Sequence, residues 1–144
     1  MNQTIRNFGY PGTLIREYDH WVVLLRPAQV TFGSLILACK EDTQAFHAVS
    51  AEGFAELKQV VTDIESVLGE VVGYAKINYL MLMMVDPDVH YHVIPRYEAP
   101  ISFEDVRFTD HGWPGPPSLG QPAETDDAVN DAIIARLKQH WPGA

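Results

Sequence analysis

The first part of the chain alternates short apolar runs with polar or turn-forming breaks. The runs over residues 13–18, 21–25 and 34–39 are rich in leucine, β-branched and aromatic side chains. Runs of this length and composition are typical of strands. We therefore predict three strands here, which follow a loose N-terminal arm over residues 1–12.

The spacing of apolar residues changes to three and four positions after Ser50. The residues that recur at this spacing are Phe54, Leu57, Val61, Ile64 and Leu68. Ser50 suits the N-cap position, and Gly69 is a candidate stop. The pattern predicts a helix over residues 51–68 whose apolar stripe faces the core. A short helix is predicted before it, over residues 44–49, with Phe46 directed inward.

The most apolar segment of the chain, residues 71–85, precedes a segment with an unusual polar pattern. We predict a strand from about Tyr74 to Val85, with its methionines in the core. A turn at Asp86-Pro87 would join it to an antiparallel partner strand. In that inner strand, three polar residues alternate with apolar ones and therefore share one face of the sheet: Asp88, His90 and His92.

The chain after residue 98 is rich in proline and glycine until a second helical pattern begins at residues 125–127. The predicted fold class is α+β, with an antiparallel sheet of five or six strands, one main packed helix and a C-terminal helix. We expect residues 1–98 to form the domain core. Residues 99–144 are expected to be an extension packed on the same domain, with Trp113 anchoring its Pro-rich part.

Composition narrows the class of protein. A chain of 144 residues with 47% hydrophobic residues is one domain with a real core, and a net charge of −9 argues against binding a nucleic acid polymer. The single cysteine argues against a disulfide framework. The first ten residues lack an apolar leader, and no run is long enough to span a membrane. We expect a soluble, cytoplasmic protein without a membrane partner.

Three interpretations compete for the two histidines and the aspartate on one strand face. In the first interpretation all three are structural residues, each with a hydrogen-bond partner. Alternatively, His90, His92 and Asp88 supply a two-histidine, one-carboxylate metal site. In the third interpretation a neutral imidazole is a nucleophile that attacks phosphorus, and the second imidazole assists.

The segment His-Tyr-His-Val-Ile-Pro-Arg at residues 90–96 resembles the signature of the histidine triad (HIT) superfamily. The family's strand–loop–strand pattern is similar to residues 20–37, and its asparagine before the triad is similar to Asn78. The resemblance covers about residues 13–98. It implies that His90 is the nucleophile that becomes nucleotidylated, that His92 contacts phosphate, and that Asn78 contributes to phosphate binding. It also implies a homodimer with the two sheets joined.

The chain departs from the family pattern at several positions. Asp88 stands where the first triad histidine is expected, Ser34 where the Gly-His histidine is expected, and Arg26 where many members carry a ribose-binding Asp or Asn. Because a carboxylate repels phosphate, three alternatives are open for Asp88. It orients His90 or His92, it pairs with Arg26 or Arg96, or phosphate is not bound in the manner of the family. Arg26 is either a surface charge or a replacement phosphate ligand.

The resemblance implies a nucleotide hydrolase or transferase that acts on the α-phosphate of a nucleoside phosphate, phosphoramidate or dinucleoside polyphosphate. Its intermediate would be a nucleotidyl-histidine, and it would need no metal and no cofactor. The candidate catalytic residues are His90, His92 and Asp88, and the candidate substrate-binding residues are Asn78, Arg26, Ser34 and His20. The alternative is a catalytically degenerate HIT-fold dimer that binds a nucleotide or a protein partner.

Overall fold

The computed structural model describes residues 1–143. It contains three α-helices and a main antiparallel sheet of five strands, followed along the chain by a separate hairpin. In chain order the elements are α1 (Gln3–Asn7), β1 (Leu14–Glu17), β2 (Trp21–Leu25), β3 (Leu35–Cys39), α2 (Ala51–Val71), β4 (Lys76–Leu80), β5 (His90–Arg96), β6 (Ile101–Phe103), β7 (Val106–Phe108) and α3 (Asp127–His140). The main sheet has the order β1-β2-β3-β5-β4. The predicted α+β class and five-stranded sheet are therefore confirmed, and β5 is an inner strand.

Helix α2 covers one face of the sheet and builds the larger core with it. The Ser50 hydroxyl caps α2 by accepting from the Gly53 N–H, as predicted. The Trp21 indole N–H donates to the Gly53 carbonyl at 2.7 Å and ties β2 to the start of the helix. Helix α3 packs against α2 and β1. No helix within residues 1–143 is long and apolar enough to cross a membrane.

The predicted stop of α2 at Gly69 is wrong. The helix continues to Val71, because Leu68 is fully buried and Val71 and the following Val72 still pack on the core. The chain leaves the helix at Gly73, whose φ of 69° lies in the left-handed region and whose N–H donates to the Leu68 carbonyl. Gly73 is thus the terminating glycine, since only that position requires this backbone conformation.

The N-terminal arm is not loose, contrary to the prediction. Residues 3–7 form α1, which is capped by the Asn2 side chain and lies on the sheet face opposite α2. Ile5 is fully buried there, in a small cluster that also contains Val22, Leu24, Ile36 and Ala38. A five-residue helix carries too few apolar positions for a periodic signal, so tertiary packing stabilises it.

The connection between β4 and β5 also differs from the prediction. Strand β4 ends at Leu80, and residues 81–89 form an irregular loop in which Met83 has a φ of 46°. Met84 and Val85 are 83% and 93% exposed, so the expectation of a core position holds only for the partly buried Met81 and Met83. Asp88 precedes the strand rather than belonging to it. Apolar composition alone does not distinguish a strand from an apolar loop.

Two smaller predictions also need correction. Phe46 lies in a 3₁₀ turn and is 43% exposed, where it contacts Phe54 at the surface. The Pro-rich extension contains the β6–β7 hairpin, whose turn residues Glu104 and Asp105 both have positive φ. Such turns usually carry Asn or Gly, so the two acidic residues gave no hairpin signal. Its Phe103 and Phe108 pack on Phe32.

Candidate active site

His90 and His92 lie side by side on the face of β5 that α1 covers. Their ring centroids are 5.2 Å apart. The neighbouring strand β3 places Ala38 opposite His90 and Ile36 opposite His92. The two histidines are only 2% and 7% exposed, so the partners that their ring nitrogens have inside the protein decide which nitrogen is left for a ligand.

The hydrogen bond of His90 fixes its tautomer. Nδ1 lies 2.7 Å from the backbone carbonyl oxygen of Asp88. Because a carbonyl oxygen only accepts, Nδ1 carries the proton of this bond. In the neutral ring, Nε2 then has a free lone pair, as a nucleophile or a general base requires.

His92 has the opposite arrangement. The Arg26 guanidinium donates from Nε to its Nδ1 at 3.1 Å. Nδ1 is therefore the acceptor, and Nε2 carries the proton that can be donated to a ligand. Burial, with further contributions from the Arg26 and His90 charges, lowers the pKa of His92 from 6.5 to about 4. His92 is thus a neutral hydrogen-bond donor near physiological pH.

Arg26 lies at the end of the site next to His92. Its Nη1 donates to the Ala28 carbonyl at 2.6 Å, which holds the side chain against the β2–β3 connection. Burial lowers the pKa of the guanidinium, which nevertheless stays protonated in a protein. The structure therefore brings one fixed positive charge to the histidine pair.

Asp88 contributes through its backbone rather than its carboxylate. The carboxylate accepts from the Thr4 hydroxyl at 2.9 Å and from the Thr4 N–H at 3.3 Å. The Asp88 N–H donates back to the Thr4 hydroxyl at 3.2 Å. The side chain predicted to orient a histidine is bound to α1 instead, and its carbonyl orients His90.

Two of the other predicted residues are near the pair but engaged elsewhere. Asn78 is opposite Ile94 on β5, with Leu80 opposite His92, so it is a diagonal neighbour of His92. Its side-chain oxygen accepts from Arg96 at 2.7 Å. The Ser34 hydroxyl donates to the Thr31 carbonyl at 2.8 Å and is fully buried. It stabilises the β2–β3 connection.

His20 is not part of this group. It lies two strands away from β5, where its N–H donates to Glu56 and its Nδ1 lies 3.3 Å from Glu41. Both carboxylates belong to the region around the start of α2. The adjacency of His20 to an apolar strand in the sequence therefore did not indicate its place in the sheet.

Arg96 forms a structural charge pair with Asp110 and not with Asp88, the partner considered from the sequence. Its guanidinium binds both carboxylate oxygens of Asp110, at 2.7 and 3.0 Å, and both residues are buried. The pair joins β5 to the C-terminal extension. The bidentate geometry leaves Arg26, and not Arg96, as the arginine that contacts a site histidine.

Two parts of the site were missed by sequence reasoning. The Phe8 ring lies over both imidazoles, with centroid distances of 5.5 Å to His90 and 5.7 Å to His92. On the other side, residues 82–86 border a groove of about 180 Å³ that both histidines line. Only the apolar character of residues 81–85 gave a signal, and it was interpreted as a strand.

The metal interpretation lacks the third ligand on which it depended. Within residues 1–143, no group of three His, Cys, Asp or Glu side chains is placed to hold a metal ion. The Asp88 carboxylate, which was the proposed third ligand, is occupied by Thr4. The observed donor set is a lone pair on His90, an N–H on His92 and a guanidinium.

Comparison with known proteins identifies the fold. No family model and no curated protein match the sequence. Among solved structures, the histidine triad protein blr8122 from Bradyrhizobium japonicum is 18% identical, with a TM-score of 0.74 over 98% of this chain and 96% of that one. The histidine triad protein SMc02904 from Sinorhizobium meliloti 1021 is 21% identical, with a TM-score of 0.75 over 97% and 95%.

A histidine triad protein from Marinobacter aquaeolei VT8 gives a third similar structure. It is 22% identical, with a TM-score of 0.71 over 89% of this chain and 87% of that one. The chain therefore has the histidine triad fold. The likeness extends over nearly its whole length, including the segments outside residues 13–98 on which the sequence resemblance rests.

Proposed function

We propose that this protein is a histidine triad hydrolase or transferase that acts on the α-phosphate of a nucleotide through a nucleotidyl-His90 intermediate. The observation that carries the proposal is the bond from His90 Nδ1 to the Asp88 carbonyl. It leaves the Nε2 lone pair free on a ring that is held in position. A phosphoramidate suits this donor set, because its leaving amine takes up one proton and brings no further negative charge to the site.

The reaction has two displacements at phosphorus. First, the Nε2 lone pair forms an N–P bond while the bond from phosphorus to the leaving nitrogen breaks. The leaving nitrogen keeps the electron pair and takes a proton from solvent. The nucleotidyl imidazolium retains its Nδ1 proton, which the Asp88 carbonyl accepts. Water then attacks phosphorus, its proton passes to solvent, and the N–P electron pair returns to Nε2 as the nucleoside monophosphate is released.

His92 and Arg26 stabilise the charge that develops on the phosphate oxygens. His92 offers its Nε2 proton, and Arg26 places a positive charge beside it. Donors that are fixed in a water-poor site are worth more than in water, since they need no reorganisation during the reaction. Arg26 thereby replaces part of the donor capacity lost at Asp88 and Ser34. The catalytic pair is His90 and His92, with Asp88 as a positioning residue.

Phe8 covers both histidines closely, so it must move before a whole nucleotide can bind. The groove of about 180 Å³ is below the roughly 300–1,000 Å³ of most small-molecule sites. Phe8 directly follows the short helix α1, and we expect this terminal segment to open more easily than the sheet. We expect the base and ribose to enter as Phe8 withdraws.

A non-catalytic nucleotide-binding protein is the second candidate. The near-complete burial of His90 favours it, since a buried nucleophile reaches only a ligand that displaces the cover. Nucleotide binding in a calorimetric titration, together with the absence of an adduct and of turnover, would select this second candidate.

We also propose that the working unit is a homodimer in the cytoplasm. Strand β4 is an edge of the five-stranded sheet, and an edge strand presents unpaired backbone groups to a partner. The lone cysteine, Cys39, is free and buried, which suits a reducing compartment. Light scattering coupled to size exclusion should give twice the mass of one chain. A single-chain mass at micromolar concentration contradicts the dimer.

Intact mass during a single turnover tests the catalytic proposal. An adenosine 5′-phosphoramidate should add one nucleotidyl group, and peptide mapping should place it on His90. His90→Ala should give neither adduct nor nucleoside monophosphate. The exposed His47 provides the matched control, and His47→Ala should behave as the wild type. Undiminished turnover by His90→Ala overturns the assignment.

A further inference from the structure

We propose that the leaving group of the substrate carries an apolar chain, and that residues 82–85 bind this chain. This inference deepens the proposed function and rests on it. It concerns a feature that the nucleophile does not explain, namely an exposed apolar loop directly beside the two histidines.

The loop and the histidines line one groove. Its walls are Leu82, Met83, Met84, Val85, Asp86, His90 and His92. A ligand bonded to His90 Nε2 through phosphorus therefore has part of its structure within reach of the loop. The groove is part of the reaction site and not a separate surface.

The two ends of the site differ in chemistry. Ala38 is opposite His90 and Leu35 is opposite Val93, so the β2–β3 connection with Arg26 lies towards the C-terminal end of β5. The loop over residues 81–89 enters β5 at its N-terminal end. A phosphate on His90 thus has a guanidinium towards one end and apolar side chains towards the other. The nucleotide phosphate fits the first end, and the leaving group is left with the second.

Charge at the loop end disfavours a polyphosphate. Within the described part of the chain, the loop's contribution to the groove includes one charged side chain, the carboxylate of Asp86. That carboxylate accepts from the Asn7 amide at 3.0 Å. Additional phosphates beyond the α-position would bring negative charge beside Asp86 without a cation in the groove lining to offset it.

Exposure of the loop is the second argument for an apolar occupant. Leu82 is 46% exposed, in addition to the largely exposed Met84 and Val85. Contiguous exposed apolar side chains in a small protein mark a binding surface more often than scattered ones do. Methionine side chains adapt to ligands of different shape. Covering them with an alkyl or aryl chain would remove apolar surface from water on both partners.

Three substrates that share the same nucleotide test the inference. They are the adenosine 5′-phosphoramidate of hexylamine, that of 6-aminohexanoate, and diadenosine tetraphosphate. The first two differ only in a terminal carboxylate. We expect kcat/KM to be about tenfold or more higher for the hexylamide than for the 6-aminohexanoate compound, because the carboxylate would lose water contact beside apolar side chains and Asp86. It should be lower still for the tetraphosphate.

The double variant Met84→Ser, Val85→Ser tests whether residues 82–85 cause the preference for the hexylamide. Both side chains are largely exposed, so the protein should remain folded. The variant should lose about tenfold in kcat/KM for the hexylamide, since it removes apolar contact. It should lose clearly less with the 6-aminohexanoate compound, because the terminal carboxylate keeps the shared methylene chain from being fully covered. Phe46→Ser, at an exposed apolar residue outside the groove, is the matched control and should leave both values unchanged.

The outcomes separate the inference from the function on which it rests. Equal kcat/KM for the two phosphoramidates, or an equal loss for both in the double variant, overturns the inference while the His90 adduct still supports the reaction. A preference for the tetraphosphate also overturns it. Absence of an adduct and of turnover with all three substrates overturns the proposed function, and the inference with it.

Discussion

The two faces of the main sheet are covered very differently. One face lies under α2, a helix from Ala51 to Val71, in a core made almost entirely of apolar side chains. The other face lies under α1, which has only five residues, and it holds both histidines. The difference shows where chemistry is tolerated in this fold. Both buried histidines lie on the face that the short segment covers, where their hydrogen-bond partners are Arg26 and the Asp88 carbonyl.

The energetics of the two covers should differ accordingly. Removal of α2 would expose the main core, so its contacts and the global fold are lost together. Helix α1 can detach while the sheet remains covered on its other side. Short terminal segments with few contacts open at a lower free energy than the core does. The predictions below test this difference, beginning with the largest effect.

The largest effect is expected for apolar truncation on the α2 side. Ile64 is fully buried between α2 and the sheet, and Ile64→Ala should lower the free energy of unfolding by about 2–5 kcal/mol. Ile5 is also fully buried, but Ile5→Ala should cost less, because α1 can open locally and thereby limit the loss. Urea denaturation measures both values, and hydrogen exchange should show local opening of residues 3–7 only in Ile5→Ala. Equal global losses would contradict the comparison.

A smaller effect is expected from pH on the thinly covered face. The pKa of His92 is lowered to about 4 in the folded protein, so the unfolded chain binds more protons between that value and about 6.5. Stability therefore falls as the pH falls through this window. From about pH 7 to about pH 5 the loss attributable to His92 is about 2 kcal/mol. His92→Gln should remove this component, which denaturant titrations at the two pH values would detect.

The pKa of His92 also tests whether Arg26 acts on this ring. Burial is the largest cause of the lowered pKa of His92, and the Arg26 charge is the next. Arg26→Gln should raise the pKa but leave it below 6.5, because burial persists. An NMR titration of the His92 ring measures this pKa directly. An unchanged pKa would show that Arg26 does not act on His92 in solution.

The smallest effect is expected at the link between α1 and the site. Thr4→Val keeps the shape of the side chain but removes the hydroxyl that bonds to the Asp88 carboxylate. The loss should be about 1.5 kcal/mol, the low end of the scale for a hydrogen bond to a charged group, because the carboxylate keeps its bond from the Thr4 N–H. Ser in place of Thr4 retains the hydroxyl and is the control. If Thr4→Val and Thr4→Ser lose the same stability, the methyl group and not the hydroxyl holds α1.

Sequence reasoning was accurate where the signal for an element lies within one segment of the chain. Strand β2 was predicted at its observed bounds, and the start of α2 was predicted from the Ser50 cap. These elements are specified by neighbouring residues, so their signal lies within one segment. The proposed nucleophile also came from a local pattern, since His90 and His92 occur two residues apart on a strand. The tautomers of their rings did not, because that of His92 depends on the distant Arg26 and that of His90 on the direction of the Asp88 carbonyl, which the residue pattern does not specify.

The failures of sequence reasoning have the opposite origin. The bond between Thr4 and Asp88 joins residues 84 positions apart, and that between Arg26 and His92 joins residues 66 apart. No local period encodes such contacts. Apolar composition was also ambiguous, because the same types of apolar residue occur in strands and in exposed loops. Met84 and Val85 are the example here, since both are exposed in a loop.

The sequence by itself therefore determined the α+β class, the main helix and the inner strand with its two histidines. The tertiary structure alone decided that Phe8 covers the imidazoles, that Asp88 acts through its carbonyl, and that Arg26 makes His92 a donor. The physical reason is that secondary structure follows from the hydrophobic pattern of one segment. The chemistry of a histidine follows from the groups that each ring nitrogen meets. Here the guanidinium that meets His92 comes from a distant part of the chain, and the carbonyl that meets His90 is turned towards the ring by the folded loop before β5.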